Sequence, residues 1–278
     1  MTKIIVTHAG PDTDAIAAAW LIQRFFPGWE EVKYEFVSAG QTFRGAPPDS
    51  DPEIIHIDTG LGKFDHHQNH QISSAAQKVF EEVKKISHLE KKRLLALERL
   101  VGVINDIDNG RDITWFEAET DRSEFMPHVF LNYFDGGDKS DTEKMKFGMK
   151  ILEMVYLSMK SKVDAEKEIL SGISFKTQWG KGIAIETEND NVLSLGEKKG
   201  FSVVAKKSPG TGHLRIYSRW DRGVDLTKAY EMFIEKDTLA TWYLHPSKCL
   251  LLNGSRKNPS TVPTNLSLKE IIAILKKA

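Results

Sequence analysis

Cysteine is almost missing from this chain. Cys249 stands alone among 278 residues, which excludes an internal disulfide and a thiolate metal cluster. A single thiol fits a reducing compartment, and a cytoplasmic setting is expected. Long apolar runs are missing too: Ala15 to Ile22 and Cys249 to Leu252 fall far short of the ~20 residues that span a bilayer. The opening run Lys3 to Thr7 is too short for a signal-peptide core, and no small-residue cleavage site follows it. Neither sign of charge prevails. Lys+Arg 38 against Asp+Glu 39 leaves −1, so no global field draws in a polyanion, and anion binding must come from a local patch or a bound metal. The same balance speaks against tracking along long nonspecific DNA, which needs many phosphate contacts. No internal repeat, low-complexity tract, GxxxxGK[ST] loop or Ser-His-Asp arrangement is evident.

What remains is an ordinary globular composition, and at roughly 150 residues per domain the length suggests one large or two modest domains. Lys3 to Thr7, Val32 to Val37 and Glu53 to Asp58 read as strands. Asp14 to Phe26 carries apolar residues at helical spacing and stops at Pro27-Gly28, while Ser73 to Ser87 and Glu90 to Ile107 read as two further helices. This alternation predicts an α/β fold, a parallel sheet with covering helices, over residues 1–140. The pattern fades between Thr114 and Asp141. Residues 141–172 read as one long bridging helix, and a homodimer through it is one arrangement the sequence allows. Strand and turn signals then dominate residues 173–278, predicting a smaller α+β domain with strands at Ile173 to Gln178, Gly182 to Thr187, Phe201 to Lys206 and His213 to Ser218. Its helices are expected at Leu226 to Ile234 and Leu268 to Lys277.

Four clusters carry chemistry. His8-x-x-x-Asp12-x-Asp14 opens a helix directly after a buried strand, where ligands of open parallel sheets bind. One imidazole and two carboxylates suit Mn²⁺ or Mg²⁺, although Asp12 and Asp14 taken alone also read as helix caps. Asp58 ends the Glu-Ile-Ile-His-Ile-Asp strand and reads equally as a ligand and as a turn residue. In Phe64-Asp65-His66-His67-Gln68, one histidine can hold a metal while its neighbour faces an anion, with Asp65 orienting an imidazole. His56 reads as packed and His70 as exposed. Finally, Asn105-Asp106-Ile107-Asp108-Asn109-Gly110 ends an apolar helix with acids that oppose the local dipole, a penalty a cation removes. Together these groups suffice for two ions ~3.5–4 Å apart bridged by a shared carboxylate, with Asp58 the natural bridge.

In order and spacing the four clusters resemble the motifs of the DHH phosphoesterase superfamily, which includes RecJ-type exonucleases, oligoribonucleases, cyclic-dinucleotide phosphodiesterases and manganese inorganic pyrophosphatases. Phe64-Asp-His-His-Gln68 and Asp106-Ile-Asp-Asn-Gly110 are also similar to segments of the melanocyte-proliferating-gene family of exonucleases. The resemblance implies that His8, Asp12, Asp14, Asp58, His66 and an acid of the fourth motif hold two divalent ions, Mn²⁺ before Mg²⁺. It makes His67 the contact to phosphate, with Asp65 behind it. Asp106, which precedes the Ile-Asp-Asn-Gly turn, is favoured for the fourth motif, with Asp108 the alternative.

The second domain departs from the pattern. Leu214-Arg-Ile-Tyr-Ser-Arg219 and Val224-Asp-Leu226 resemble the elements that precede a glycine-rich GGGH segment in many relatives, but that segment is missing. Trp242-Tyr-Leu-His245 and Asn253-Gly-Ser-Arg-Lys257 stand in its place, and Arg219, His245, Gly254, Ser255, Arg256 and Lys257 are the expected substrate contacts, with Trp242 or Tyr243 stacking on a base. The expected activity is metal-dependent hydrolysis of phosphodiesters in short oligonucleotides, dinucleotides or nucleotide-like molecules, the second domain gripping the far end of the substrate and closing over the site. A pyrophosphatase and a nucleotide-sensing protein without turnover are the alternatives.

Overall fold

β1 (Lys3–His8) takes its place from its side chains: Ile5, Val6 and Thr7 are fully buried. The computed structural model describes residues 2–68, 71–134, 140–254, 258 and 260–278. Two compact units divide the chain, residues 1–160 and 161–278, and the division falls inside one long helix.

In the first unit β1 is followed by α1 (Thr13–Phe25), β2 (Val32–Val37), β3 (Ile54–His56), α2 (Ala75–Ile86), α3 (Lys91–Asp108), α4 (Pro127–Asn132) and the first part of α5 (Asp141–Ser171). The strands form a parallel sheet in the order β2-β1-β3. Parallel pairing forces each connection to cross over, and α1 supplies the crossover between β1 and β2. Ten consecutive residues of α1, Thr13 to Ile22, are buried, so this helix lies inside the unit rather than on its surface. The third strand is shorter than expected. Its ladder ends at His56, Ile57 makes one bridge to Phe64, and the backbone at Asp58 turns left-handed with φ 53°. Between α3 and α4 the described residues make short 3-10 turns at Asp112–Thr114 and Ser123–Phe125, and α4 follows with Pro127 in its first turn.

α5 is more than a bridge. Met145, Ile151, Leu152 and Tyr156 are buried on its first half, and Gly148 approaches α1 so closely that a Cβ there would meet Ile16 at 2.8 Å. Trp20 packs edge-on against Tyr156 at 5.5 Å between ring centres, and its indole N–H donates to Glu153.

The second unit contains the end of α5, β4 (Ile173–Thr177), β5 (Gly180–Glu186), α6 (Asn191–Lys198), β6 (Val203–Lys207), β7 (Leu214–Ser218), α7 (Thr227–Lys236), β8 (Tyr243–Leu244), β9 (Leu250–Asn253) and α8 (Leu268–Lys277). One mixed sheet runs β4-β5-β6-β7-β9-β8, with only β5 and β6 parallel. It is buried on both faces. Phe233, Ile271 and Leu275 of α7 and α8 pack with Val203, Ala205 and Ile216, while Ala165 and Ile169 of α5 and Val192 and Leu193 of α6 pack with Ile183, Ile185 and Val204. The structure adds α6, β8 and β9 to the expected elements. Eight, two and four residues are too short for a periodic signal to develop. No helix among the described residues is long and apolar enough to cross a membrane.

The Tyr156 hydroxyl is buried and has no hydrogen-bond partner among the described residues. A buried hydroxyl without a partner costs stability. Tyr156→Phe is therefore expected to leave the unfolding free energy unchanged or raise it by roughly 1–2 kcal/mol in urea titration; a loss of more than about 1 kcal/mol would show that the hydroxyl is satisfied.

Candidate metal centre

The carboxyl end of β1, the turn into α1, the turn after β3 and the C-terminus of α3 meet at one edge of the parallel sheet. They enclose a cleft of about 350 Å³ whose wall includes His8, Asp12, Asp58, Asp65, His67 and Asp108. Asp58 is central. It is 5% exposed, and its two carboxylate oxygens face opposite ways: Oδ2 lies 3.2 Å from His8 Nε2 and Oδ1 3.3 Å from His66 Nε2. The left-handed backbone at Asp58, which Asp tolerates better than most residues, turns the chain out of the sheet, and Asp58 N–H donates to the Phe64 carbonyl. This folds the Asp-His-His segment back beneath the carboxylate.

His8, Asp12, Asp14 and His67 are held from behind. His8 Nδ1 lies 3.0 Å from the Ala9 carbonyl; donating there leaves Nε2 toward Asp58 and, at 3.9 Å, toward Asp12 Oδ2. Asp12 serves twice, because its Oδ1 accepts from Ala15 N–H as the cap of α1. Asp14 is buried and accepts from Ala75 and Ala76 N–H at 2.6 and 2.9 Å, the N-terminal amides of α2. Asp65, 1% exposed, accepts from Leu61 N–H at 2.7 Å, from His67 N–H at 3.0 Å and from His67 Nδ1 at 2.8 Å. His67 is thereby fixed at one ring nitrogen while 60% of its side chain stays exposed at the cleft.

Of the two acids at the end of α3, the structure brings in Asp108 and leaves out Asp106. Asp108 Oδ2 lies 3.5 Å from His66 Nε2, whereas Asp106 faces outward and pairs with Arg111. Residues two apart on a helix point about 200° from one another, so both cannot reach one centre. The side chains group as His8, Asp12 and Asp58; Asp58, His66 and His67; and Asp14, His66 and Asp108.

This donor set fits divalent cations. Asp58 Oδ1, His66 Nε2 and Asp108 Oδ2 are all buried without a hydrogen-bond partner among the described residues, though His66 Nε2 lies 3.3 Å from Asp58 Oδ1 and 3.5 Å from Asp108 Oδ2. Contacts that close without hydrogen-bond alignment are what acceptors aimed at a shared cation make. The protonation equilibria agree. The Asp58 carboxylate, hydrogen-bonded to His8 and 3.3 Å from His66 Nε2, pushes both imidazoles up to about 9, despite their burial. Burial pushes Asp108 up to about 6 and drives Asp14 well above the usual carboxylate range, with Asp58 adding to both. Burial also acts to raise Asp58, but His66 and His8 outweigh it and hold that carboxyl below its ordinary value. The cluster therefore retains protons that a metal would displace.

Three features escaped the sequence. Thr59, buried, donates to the Gln41 carbonyl and accepts from Gly40 N–H, tying the loop after β2 to the cleft. The α2 amides that hold Asp14 lie 61 and 62 positions away in sequence. Asn105, one helical turn before Asp108, buries an Oδ1 that has no partner among the described residues. The Ser74 cap of α2 was the one local signal for any of them. His56 is packed as expected, accepting from Phe43 N–H, and His70 lies outside the described residues.

The substrate contacts expected in the second unit are engaged locally. Arg219 makes a two-pronged contact with Asp221. His245 bonds to Ser247. Gly254, at φ 85°, packs so tightly against His213 that no Cβ would fit. Trp242 stacks on Phe233 at 4.6 Å, which makes it part of the core, whereas Tyr243 is exposed. Ser255, Arg256 and Lys257 lie outside the described residues.

No family model matches the chain, and no curated protein matches it. Among solved structures, similarity is found to a DHH-domain protein described as a member of the s1p family of ribosomal proteins, at 12% identity and a TM-score of 0.33, over 99% of this chain and 86% of that one. RecJ from Thermus thermophilus in complex with Mg²⁺ is similar at 10% identity and a TM-score of 0.33; 99% of this chain is covered, but it spans only 49% of RecJ. An exopolyphosphatase-related protein from Bacteroides fragilis is similar at 13% identity and a TM-score of 0.27, over 99% of this chain and 91% of that one. All three are distant likenesses.

The raised imidazoles have a consequence for stability. A histidine that holds its proton more tightly in the fold than in the unfolded chain stabilises the fold fully below its ordinary value of 6.5, and that contribution drains away as pH rises through about 9. In a chelator, the melting temperature is expected to fall between pH 7 and pH 9, and the slope to flatten in a His8→Gln/His66→Gln variant. A melting temperature that rises over this interval would contradict the assignment.

Proposed function

We propose that this chain is a metal-dependent phosphoesterase of the DHH type, hydrolysing phosphodiester bonds in short oligonucleotides or nucleotide-like molecules. The observation that supports it best is the Asp58 carboxylate, which presents one oxygen to the His8 and Asp12 side of the cleft and the other to the His66 side. A carboxylate placed so can bridge two cations, with His8 and Asp12 on one side and Asp14, His66 and Asp108 on the other. When bound, such a pair supplies the Lewis acidity that deprotonates water at neutral pH and offsets negative charge on a phosphoryl group. Mn²⁺ and Mg²⁺ both suit this set of carboxylates and imidazoles, with Mn²⁺ favoured by the nitrogen ligands.

The protein's own groups do the rest. Asp12, Asp14, Asp58, Asp65 and Asp108 gather carboxyl groups around one cleft; once their protons are displaced they would repel a phosphate unless cations are bound, which makes the reaction metal-dependent. Asp65 holds His67 Nδ1, fixing the ring so that Nε2 serves the phosphoryl oxygens across the cleft. Asp58 and His66 are too buried to meet the substrate directly and act by positioning charge.

The test is a panel of dinucleotides, cyclic dinucleotides, pyrophosphate and nucleoside monophosphates, assayed with Mn²⁺ and with chelator. Metal-dependent release of mononucleotides supports the reading; release from pyrophosphate alone, or binding without turnover that Asp58→Ala leaves unaltered, overturns it. Asp58→Asn should lower turnover by about 10³-fold or more, the scale of losing a central group in an electrostatic site.

The fourth-motif choice is open to a direct comparison. Asp108→Asn should weaken Mn²⁺ binding, read by electron paramagnetic resonance, by at least about 10-fold, while Asp106→Asn stays within about twofold of the parent. The reverse order would return the ligand role to Asp106.

A further inference from the structure

Beside the candidate metal centre, the first unit holds a second cavity of opposite character. It has a volume of about 170 Å³ and lies between α3, α4 and α5. Ile104 and Ile107 of α3, Leu131 of α4 and Leu152 of α5 supply hydrocarbon, and Met126 and Met159 add sulfur. Trp115 lines it as well, standing edge-on to His128 at 6.0 Å, and His128 is itself paired with Asp112. The connection from α3 to α4 leaves this space because its two 3-10 turns expose their apolar side chains instead of burying them: Ile113 is 77% exposed and Phe125 85%.

We propose that this cavity is a binding site for a small neutral molecule carrying a single aromatic ring system, and that its occupancy is felt at the metal centre. Size sets the first limit. Apolar cavities of about 150 Å³ stay dry and take up benzene, so this volume admits a ring and excludes a helix or a nucleotide. Chemistry sets the second. The lining offers a nucleobase almost no partners for its polar edge, which would be buried unpaired, whereas two thioethers and an indole favour an aromatic guest. The coupling is covalent and short. Thr13, which lines the cavity, sits between Asp12 and Asp14, and Ile107 immediately precedes Asp108. A guest in contact with Thr13 and Ile107 bears on the backbone that carries Asp12, Asp14 and Asp108, three of the carboxylates grouped around the cleft, so its occupancy and that of a cation are linked.

The first half is tested without metal, with indole and toluene as probes, by calorimetry and thermal shift in chelator. Saturable binding of one molecule per chain is expected, lost in Val103→Phe, which fills the cavity from its partly exposed rim and should retain the parent melting temperature. Absence of saturable binding overturns the proposal, as does binding that survives in folded Val103→Phe. A dimer by sedimentation, with indole excluded, would assign the cavity to a side chain of a second copy and overturn it equally. The second half rests on the metal reading. With saturating indole, Mn²⁺ affinity is expected to rise about fivefold and, by reciprocity, Mn²⁺ to tighten indole by the same factor. Indole that binds while Mn²⁺ also binds but is unaffected overturns the coupling. Indole that binds while Mn²⁺ does not bind at all identifies the metal reading as the one that failed.

Discussion

A single buried carboxylate organises the first unit. Asp58 sits where the third strand stops, on a backbone turned left-handed, with an imidazole against each of its oxygens. Each imidazole also faces a further acid, Asp12 for His8 and Asp108 for His66, so the negative charge of the cluster is offset by positive charge shared among its members. Protons can supply that charge, and so can divalent ions. The surrounding fold is arranged to keep this choice open: α1 begins with an acid on each side of Thr13, α2 points its first amides at one of them, and α3 ends by delivering another.

Much of this was legible in the sequence because it is local. The apolar run Lys3 to Thr7, the helix that follows it and the apolar face of α3 announce themselves by periodicity, and the His8, Asp12 and Asp14 spacing survives folding as a single turn. The choice between Asp106 and Asp108 was not legible in that way. It depends on the rotation of α3 about its axis, which is set by Ala96, Leu97, Leu100, Val101 and Ile104 packing into the unit. Those buried positions put residue 108 on the inward side, and residue 106 turns outward to meet Arg111. Turn preference, which favoured Asp106, is a weaker constraint than the buried stripe. Likewise, Trp242 offers the same aromatic face to a base or to Phe233, and only packing decides between them.

In the second unit the strands were legible and the chemistry was not. β4 to β7 lie close to where alternation put them, since each buries side chains on a sheet covered on both faces. Charge and glycine in a loop, by contrast, carry no such periodic signature. Arg219 has an acid two residues on that occupies its guanidinium, and Gly254 is a glycine because His213 leaves no room for anything larger.

The amides that hold Asp14 give the cluster a dry end and a wet end. Asp14 is sealed beneath the start of α2, while Asp12 and His67 stand at the open rim with about half or more of their side chains in water. Traffic into such a site is one-sided. Whatever enters the cleft meets Asp12 and His67 before it reaches Asp14.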